Sequence, residues 1–329
     1  MAPTGFFARV PVIRQLRQSV GLQRGMLVAG LVLTAVFLIC AIFAPWIAPY
    51  SFNQLKGPDG GFGAQQPPSF AHLLGTTVGG YDVLSRVIWG AQTALFVIIV
   101  AVALSVVAGV LLGLLSGYLG GWIDRVVVVI ADAIYAFPTL LLAIVVAIAI
   151  SGGQSGLWPG VMAAAVSITV VFIPQYLRVV RAEVVRVKAE AFVESARVIG
   201  ASNGRIMFRH VLRNSTRTLP LIVTLNASEA ISTMAALGFL GFGIEPTAAA
   251  EWGYDLNKSI SDVSAGIWWT AIPPGLAIVL VVLGITLIGE SLNDLADPRL
   301  RARRRTGKTP ADPVAASQPV AREFMGEVE

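Results

Sequence analysis

The chain has 329 residues, of which 55% are hydrophobic and only 13% charged, about half the charged fraction of an ordinary soluble domain. Its mean hydropathy of +0.74 excludes a soluble globule, which needs polar surface to cover its core, and a disordered chain, which is poor in apolar residues. The single cysteine, Cys40, excludes an internal disulfide and a Cys-based metal site, and the net charge of +5 has to be read by position.

A bilayer core of about 30 Å is crossed by about 20 apolar residues in a helix. In chain order, runs of that kind occupy residues 26–48, 91–115, 126–150, 157–177, 218–243 and 267–289. Helix is the state expected of each, because a bilayer offers no water to an unpaired backbone. The first run follows Arg9, Arg14, Arg17 and Arg24, the charge pattern that opens a secretory signal. It exceeds the roughly 7–15 apolar residues of such a signal, so it reads as an uncleaved first span after a cytoplasmic tail, 1–25. A Gly- and Pro-rich outer loop, 49–90, comes next. The third run contains Asp132 and the fifth contains Glu229. The last span leads into a cytoplasmic tail, 290–329, read as largely disordered after 301.

Six spans with the N-terminus inside place all of the 24 basic residues except Lys56, Arg86 and Lys258 on the inner side. That is the orientation the positive-inside rule prefers. The basic charge therefore sits beside membrane helices, and no nucleic-acid partner is expected.

Between the fourth and fifth runs, Phe192, Val193, Ala196 and Ile199 have helical spacing. The string Gly200-Ala-Ser-Asn-Gly204 has a turn's composition, and Ser202 suits the cap of a second short helix carrying Ile206, Met207, Val211 and Leu212. In the second run, Ala101, Ser105, Gly109, Gly113, Gly117 and Gly121 recur every four residues. Small residues so spaced let another helix approach closely, which makes Gly109, Gly113 and Gly117 candidate packing positions.

Little here suits catalysis. His72 and His210 fall on opposite sides of the membrane, leaving no material for a His-based metal site or a Ser–His–Asp triad. Gly307-Lys308-Thr309 resembles the end of a phosphate loop, but Ala302 stands where its first glycine belongs and Pro310 follows at once. No cofactor, metal or ATP hydrolysis by this chain is expected. The intramembrane acids are functional candidates by default. Asp132 reads either as a residue near the inner interface, within reach of Arg125, or as part of a pathway. Glu229 reads either as lining a polar cavity or as bonding a neighbouring helix.

The string Phe192-Val-Glu194-Ser195-Ala196-Arg-Val-Ile-Gly200-Ala-Ser, followed by Ile206-Met-Phe-Arg209-His210-Val-Leu212, resembles the EAA loop of permease subunits in bacterial ABC importers. Phe43-Ala-Pro45-Trp-Ile-Ala-Pro49-Tyr50, Leu74-Gly-Thr76, Asp82-Val-Leu-Ser-Arg86, Ala136-Phe-Pro138, Phe239-Leu-Gly-Phe-Gly243 and Asp297-Pro-Arg-Leu-Arg301 resemble the dipeptide, oligopeptide and nickel group of those permeases, its C-type subunit above all. Ser195, Arg213, Tyr81 and Met234 depart from the group's pattern.

The resemblance implies an all-α, six-span type I importer permease fold (MetI-like) in the bacterial inner membrane. Its five-helix core would be 91–289, with a coupling hairpin at 182–214. It implies that Phe192, Glu194, Ser195, Ala196, Gly200, Arg205 and Arg209 contact a cytoplasmic ATPase subunit. A second, B-type permease and an extracytoplasmic solute-binding protein are the other implied partners, beside membrane lipid. Peptides are the implied substrate, with nickel or another small solute as the alternative. Pro138, Pro174 and Pro273-Pro274 are candidate kinks. An ATP-independent secondary transporter is the competing class, and it would leave the inner hairpin without a role.

Overall fold

Backbone hydrogen bonding decides the architecture: each apolar run must satisfy its own amides, and it does so as helix. The computed structural model describes residues 22–57, 60–152 and 156–296. The long helices are α1 (Leu22–Ile47), α2 (Val83–Leu119), α3 (Gly121–Ala136), α4 (Thr139–Ser151), α5 (Leu157–Lys188), α8 (Leu219–Leu237) and α11 (Ile272–Ala296). Between α5 and α8 lie α6 (Ala191–Val198) and α7 (203–215); before α11 come α9 (Trp252–Lys258) and α10 (Ile260–Ser264). A two-residue antiparallel pair, Lys56–Gly57 with Gly60–Gly61, stands in the 49–82 segment. Of the expected tails, residues 22–25 and 290–296 belong to α1 and α11; the rest, and with it Gly307 to Thr309, lies outside the described residues.

Among the described residues five helices are each long and apolar enough to cross a membrane, and the pair α3–α4, bent by 102° at its break, counts as a sixth when taken as one span. The sequence run 126–150 is thus broken in two. Pro138 has no N–H to donate and its ring obstructs the preceding turn, so the chain leaves the helix at Phe137 and re-enters at Thr139. Pro174 lies inside the continuous α5. Pro273 and Pro274 correct the kink expectation in another way: they occupy the first turn of α11, where the amides have no helical partner to lose.

Two helices outrun their hydropathy. α2 begins at Val83 rather than near 91, capped by Asp82, whose carboxylate accepts from Ser85 N. α5 continues to Lys188 instead of ending at 177. At 32 residues it spans about 48 Å, well beyond the bilayer core. Charged side chains end an apolar run without ending helical hydrogen bonding, so the helix carries on out of the membrane.

α2 packs on α5 through the small-residue row. A Cβ at Gly113 would lie 2.7 Å from the Leu177 carbonyl oxygen, and one at Gly117 would lie 3.0 Å from that of Arg181. Gly109 meets the Ile173 carbonyl oxygen in the same way, at 3.0 Å. Thr169 Oγ1 reaches the Ala101 carbonyl at 3.2 Å and Ser105 Oγ the Thr169 carbonyl at 3.3 Å. Gly121 is not part of this row: it has a positive φ of 63°, a Cβ built on it would meet nothing within 4 Å, and it opens α3 after the break at Gly120. A second close approach, Gly30 against the Gly284 carbonyl at 2.8 Å from a built Cβ, seats α1 on α11.

Candidate functional site

The bundle has two differently built ends and a polar break between them. At one end, α6 and α7 form the hairpin the sequence indicated. Its turn is set by Gly200 at φ 81°. Gly200 N donates to the Arg197 carbonyl and Ala201 N to the Ala196 carbonyl, at 2.9 and 3.0 Å, which is a Schellman ending. Ser202 caps α7 by accepting from Arg205 N at 3.4 Å. Residues 206–211 take a π-helical turn, in which residue i stacks over i+5. This lets Ile206, Met207 and Val211 all turn inward.

The hairpin's residues divide cleanly. Val193 and Ala196 are buried in the chain's own core beside Val184 and Val187. Ala196 is therefore unavailable to a partner, a correction to its expected contact role. Its small size instead seats α6 against the bundle. Phe192, Glu194, Ser195, Gly200, Arg205 and Arg209 are exposed. Val198 and Ile199 are each 83% exposed at the tip, a strongly apolar point on an otherwise charged surface.

The hairpin is tied to the spans. Arg181 on α5 holds Asp124 through two bonds of 2.5 and 2.6 Å, and Ser116 donates to the same carboxylate. Lys188 Nζ donates to the Tyr118 carbonyl, and the Tyr118 hydroxyl to Asn203 Oδ1 on α7.

Asp132 pairs with Arg178 on α5 at 2.7 Å, not with Arg125. Arg178 also lies over the Tyr135 ring, 4.2 Å from its centroid. Glu229 sits on α8 beside a cavity of about 120 Å³ at the α3–α4 break, whose wall includes Tyr135, Phe137, Thr139, Phe172 and Gln175. Asp132 and Glu229 thus belong to the same region, Asp132 being neutralised by an arginine while Glu229 is not.

The opposite end carries a network that sequence reasoning missed. Arg86 is 1% exposed. Its Nε donates to both Asp255 oxygens at 2.8 and 2.9 Å, and its Nη1 donates to the carbonyls of Phe52 and Pro246 at 3.1 and 3.3 Å. One guanidinium thereby joins α2, the 49–57 stretch and α9. Asp82 caps α2 and also meets His72 Nδ1 at 2.9 Å. Glu251 is buried against Gly238 and caps α9 by accepting from Gly253 N and Tyr254 N. Burial pushes its carboxyl up to about 8; the two amides and Arg86 oppose this, and nearby Asp255 adds to it. Asp82-Val-Leu-Ser85 carried a readable cap signal, but nothing local in the sequence announced Arg86–Asp255. Among the described residues no group of three or more His, Cys, Asp or Glu side chains is placed to hold a metal ion.

Five long apolar helices, a bent helix pair beside a polar cavity and a hairpin seated at one end are the build of a multi-pass membrane protein. The chain belongs to the family of binding-protein-dependent transport system inner membrane components, which matches residues 109–302. Residues 22–68 match the N-terminal TM domain of oligopeptide transport permease C. The chain is 42% identical over 279 residues to the dipeptide transport system permease protein DppC of Escherichia coli strain K12, covering 83% of this chain and 89% of that one. It is 36% identical over 275 residues to the DppC of Alkalihalophilus pseudofirmus, covering 84% and 86%. It is 37% identical over 279 residues to the glutathione transport system permease protein GsiD of Shigella flexneri, covering 85% and 88%.

Proposed function

We propose that this chain is a non-catalytic permease subunit of an ATP-driven importer of short peptides. It forms half of a translocation pathway with a second, unlike permease. A cytoplasmic ATPase subunit receives the α6–α7 hairpin, and a solute-binding protein delivers peptide to the opposite, extracytoplasmic end. The basic residues around the hairpin favour this orientation, with both termini cytoplasmic.

The observation that carries the reading is the construction of the hairpin. Val198 and Ile199 project from a tip whose turn is fixed by Gly200, while Val193, Ala196 and Ile206 bind its base to the core. An apolar tip left in water is costly unless a partner covers it. A base packed to this degree transmits displacement to α5 instead of absorbing it. Glu194, Arg205 and Arg209 form no ion pair among the described residues, so they remain available to orient the dock. ATP then supplies the bias between outward- and inward-facing states, and the permease supplies contacts that differ between them.

The test is reconstitution of the complete complex in proteoliposomes with loaded binding protein outside. Dipeptide uptake is expected to require ATP on the hairpin side and to stop when the ATPase subunits are omitted. Uptake driven by an ion gradient without ATP would refute the reading.

A further inference from the structure

We infer that Glu229 is the counter-charge for the α-ammonium group of a peptide passing the broken span, and that the cavity beside it is a subsite for the peptide's amino-terminal end. The inference rests on the peptide-import reading and specifies where in the pathway the peptide is held.

Four polar side chains meet around this cavity, one from each of four helices: Tyr135 on α3, Thr139 on α4, Gln175 on α5 and Glu229 on α8. None of the four makes a side-chain hydrogen bond among the described residues, although Tyr135 stacks under Arg178. Glu229 lies about 15 Å along α8 from Leu219, which places it deep in the span. A carboxylate at such a depth is expensive unless it faces water, a cation or a polar cavity. The neighbouring acids are already served, Asp132 by Arg178 and Asp124 by Arg181. Arg178 and Arg181 are spent in those pairs, and the described lining of the cavity holds one carboxylate, Glu229, and no lysine or arginine.

The site is a hollow of about 120 Å³, a few water molecules' worth of space, which opens on the chain's surface, where Tyr135, Thr139 and Glu229 are exposed. An ammonium group offers three N–H donors. Glu229 accepts one or two of them, and the Gln175 amide and Thr139 hydroxyl accept others or serve the first peptide group. Phe137 and Phe172 supply apolar wall for the first side chain. A charge-assisted bond of this kind changes affinity by roughly 10- to 100-fold.

The experiment uses the assembled complex in proteoliposomes, with Glu229→Gln and Glu229→Asp variants. The probe is a dipeptide bearing p-azidophenylalanine at its second residue, occluded by vanadate trapping and photolysed. In the parent complex the adduct is expected to map to residues 134–142, 171–175 or α8. In Glu229→Gln the occluded peptide is expected to fall at least tenfold, with partial recovery in Glu229→Asp. An adduct elsewhere, or unchanged occlusion in Glu229→Gln, overturns the subsite. Loss of the second permease from the purified Glu229→Gln complex also overturns it, since the carboxylate would then be an interface contact. Absence of ATP-dependent uptake by the parent complex would instead remove the peptide-import reading itself.

Discussion

Arg86 offers the sharpest test of what holds the hairpin-free end together. Arg86→Met leaves the Asp255 carboxylate, whose side chain is 9% exposed, without its guanidinium. Removing one member of a buried pair costs about 3–5 kcal/mol, because an uncompensated charge stays behind. Asp255→Leu is expected to cost a similar amount, for it strands the guanidinium instead. Replacing both members removes both charges, which is often close to neutral. The Phe52 and Pro246 carbonyls still lose their donor, at about 1–3 kcal/mol. The double variant R86M/D255L should therefore melt below the parent but above either single variant. Thermal unfolding midpoints of the purified chain in detergent provide the assay, with Lys258→Met as an exposed control. Two results would refute the reasoning: losses in the double variant that simply add, or an Arg86→Met protein that melts with the control.

Gly113→Val should destabilise the α2–α5 contact by about 1–3 kcal/mol through overpacking, since its first new atom already meets the Leu177 backbone; Gly204→Ala, with nothing within 4 Å, should leave the melting midpoint unchanged. Gly200→Asp puts an L side chain at φ 81°, a strain of about 1 kcal/mol, and a charge beside the exposed Ile199; loss of ATPase co-purification with normal membrane insertion is the expected outcome, checked by pull-down. Glu251 makes stability pH-dependent with a definite sign. Its folded pKa is raised from 4.5 to about 8, so between those values the folded chain binds more protons than the unfolded one and stability falls as pH rises. Glu251→Gln should flatten that slope and raise the melting midpoint above the parent's at pH 8.5; an unchanged pH profile would contradict it.

Much was legible along the chain because hydropathy, turn chemistry and small-residue spacing are local properties. The spans, the Gly200 turn and the Ser202 cap each depend on a few neighbouring residues. The row Gly109, Gly113 and Gly117 marked a packing face but not its partner, which is α5 of the same chain. Asp132 was conspicuous by its burial cost, yet its partner Arg178 lies 46 residues away and could not be chosen over Arg125 from spacing alone. Ala196 looked like a contact residue because one sequence position cannot say which side of a short helix faces the bundle.

What the amino-acid string determined alone is which segments are apolar enough to cross a bilayer, since about twenty consecutive side chains suffice to decide it. What required the folded bundle is which charges are neutralised and which are not. Arg86 finds Asp255 across 169 positions, and Glu229, with no basic partner among the described residues, lies beside the hollow where α3, α4 and α5 converge. Electrostatic energy depends on distance in space and on exclusion of water, and neither is encoded by separation along the chain.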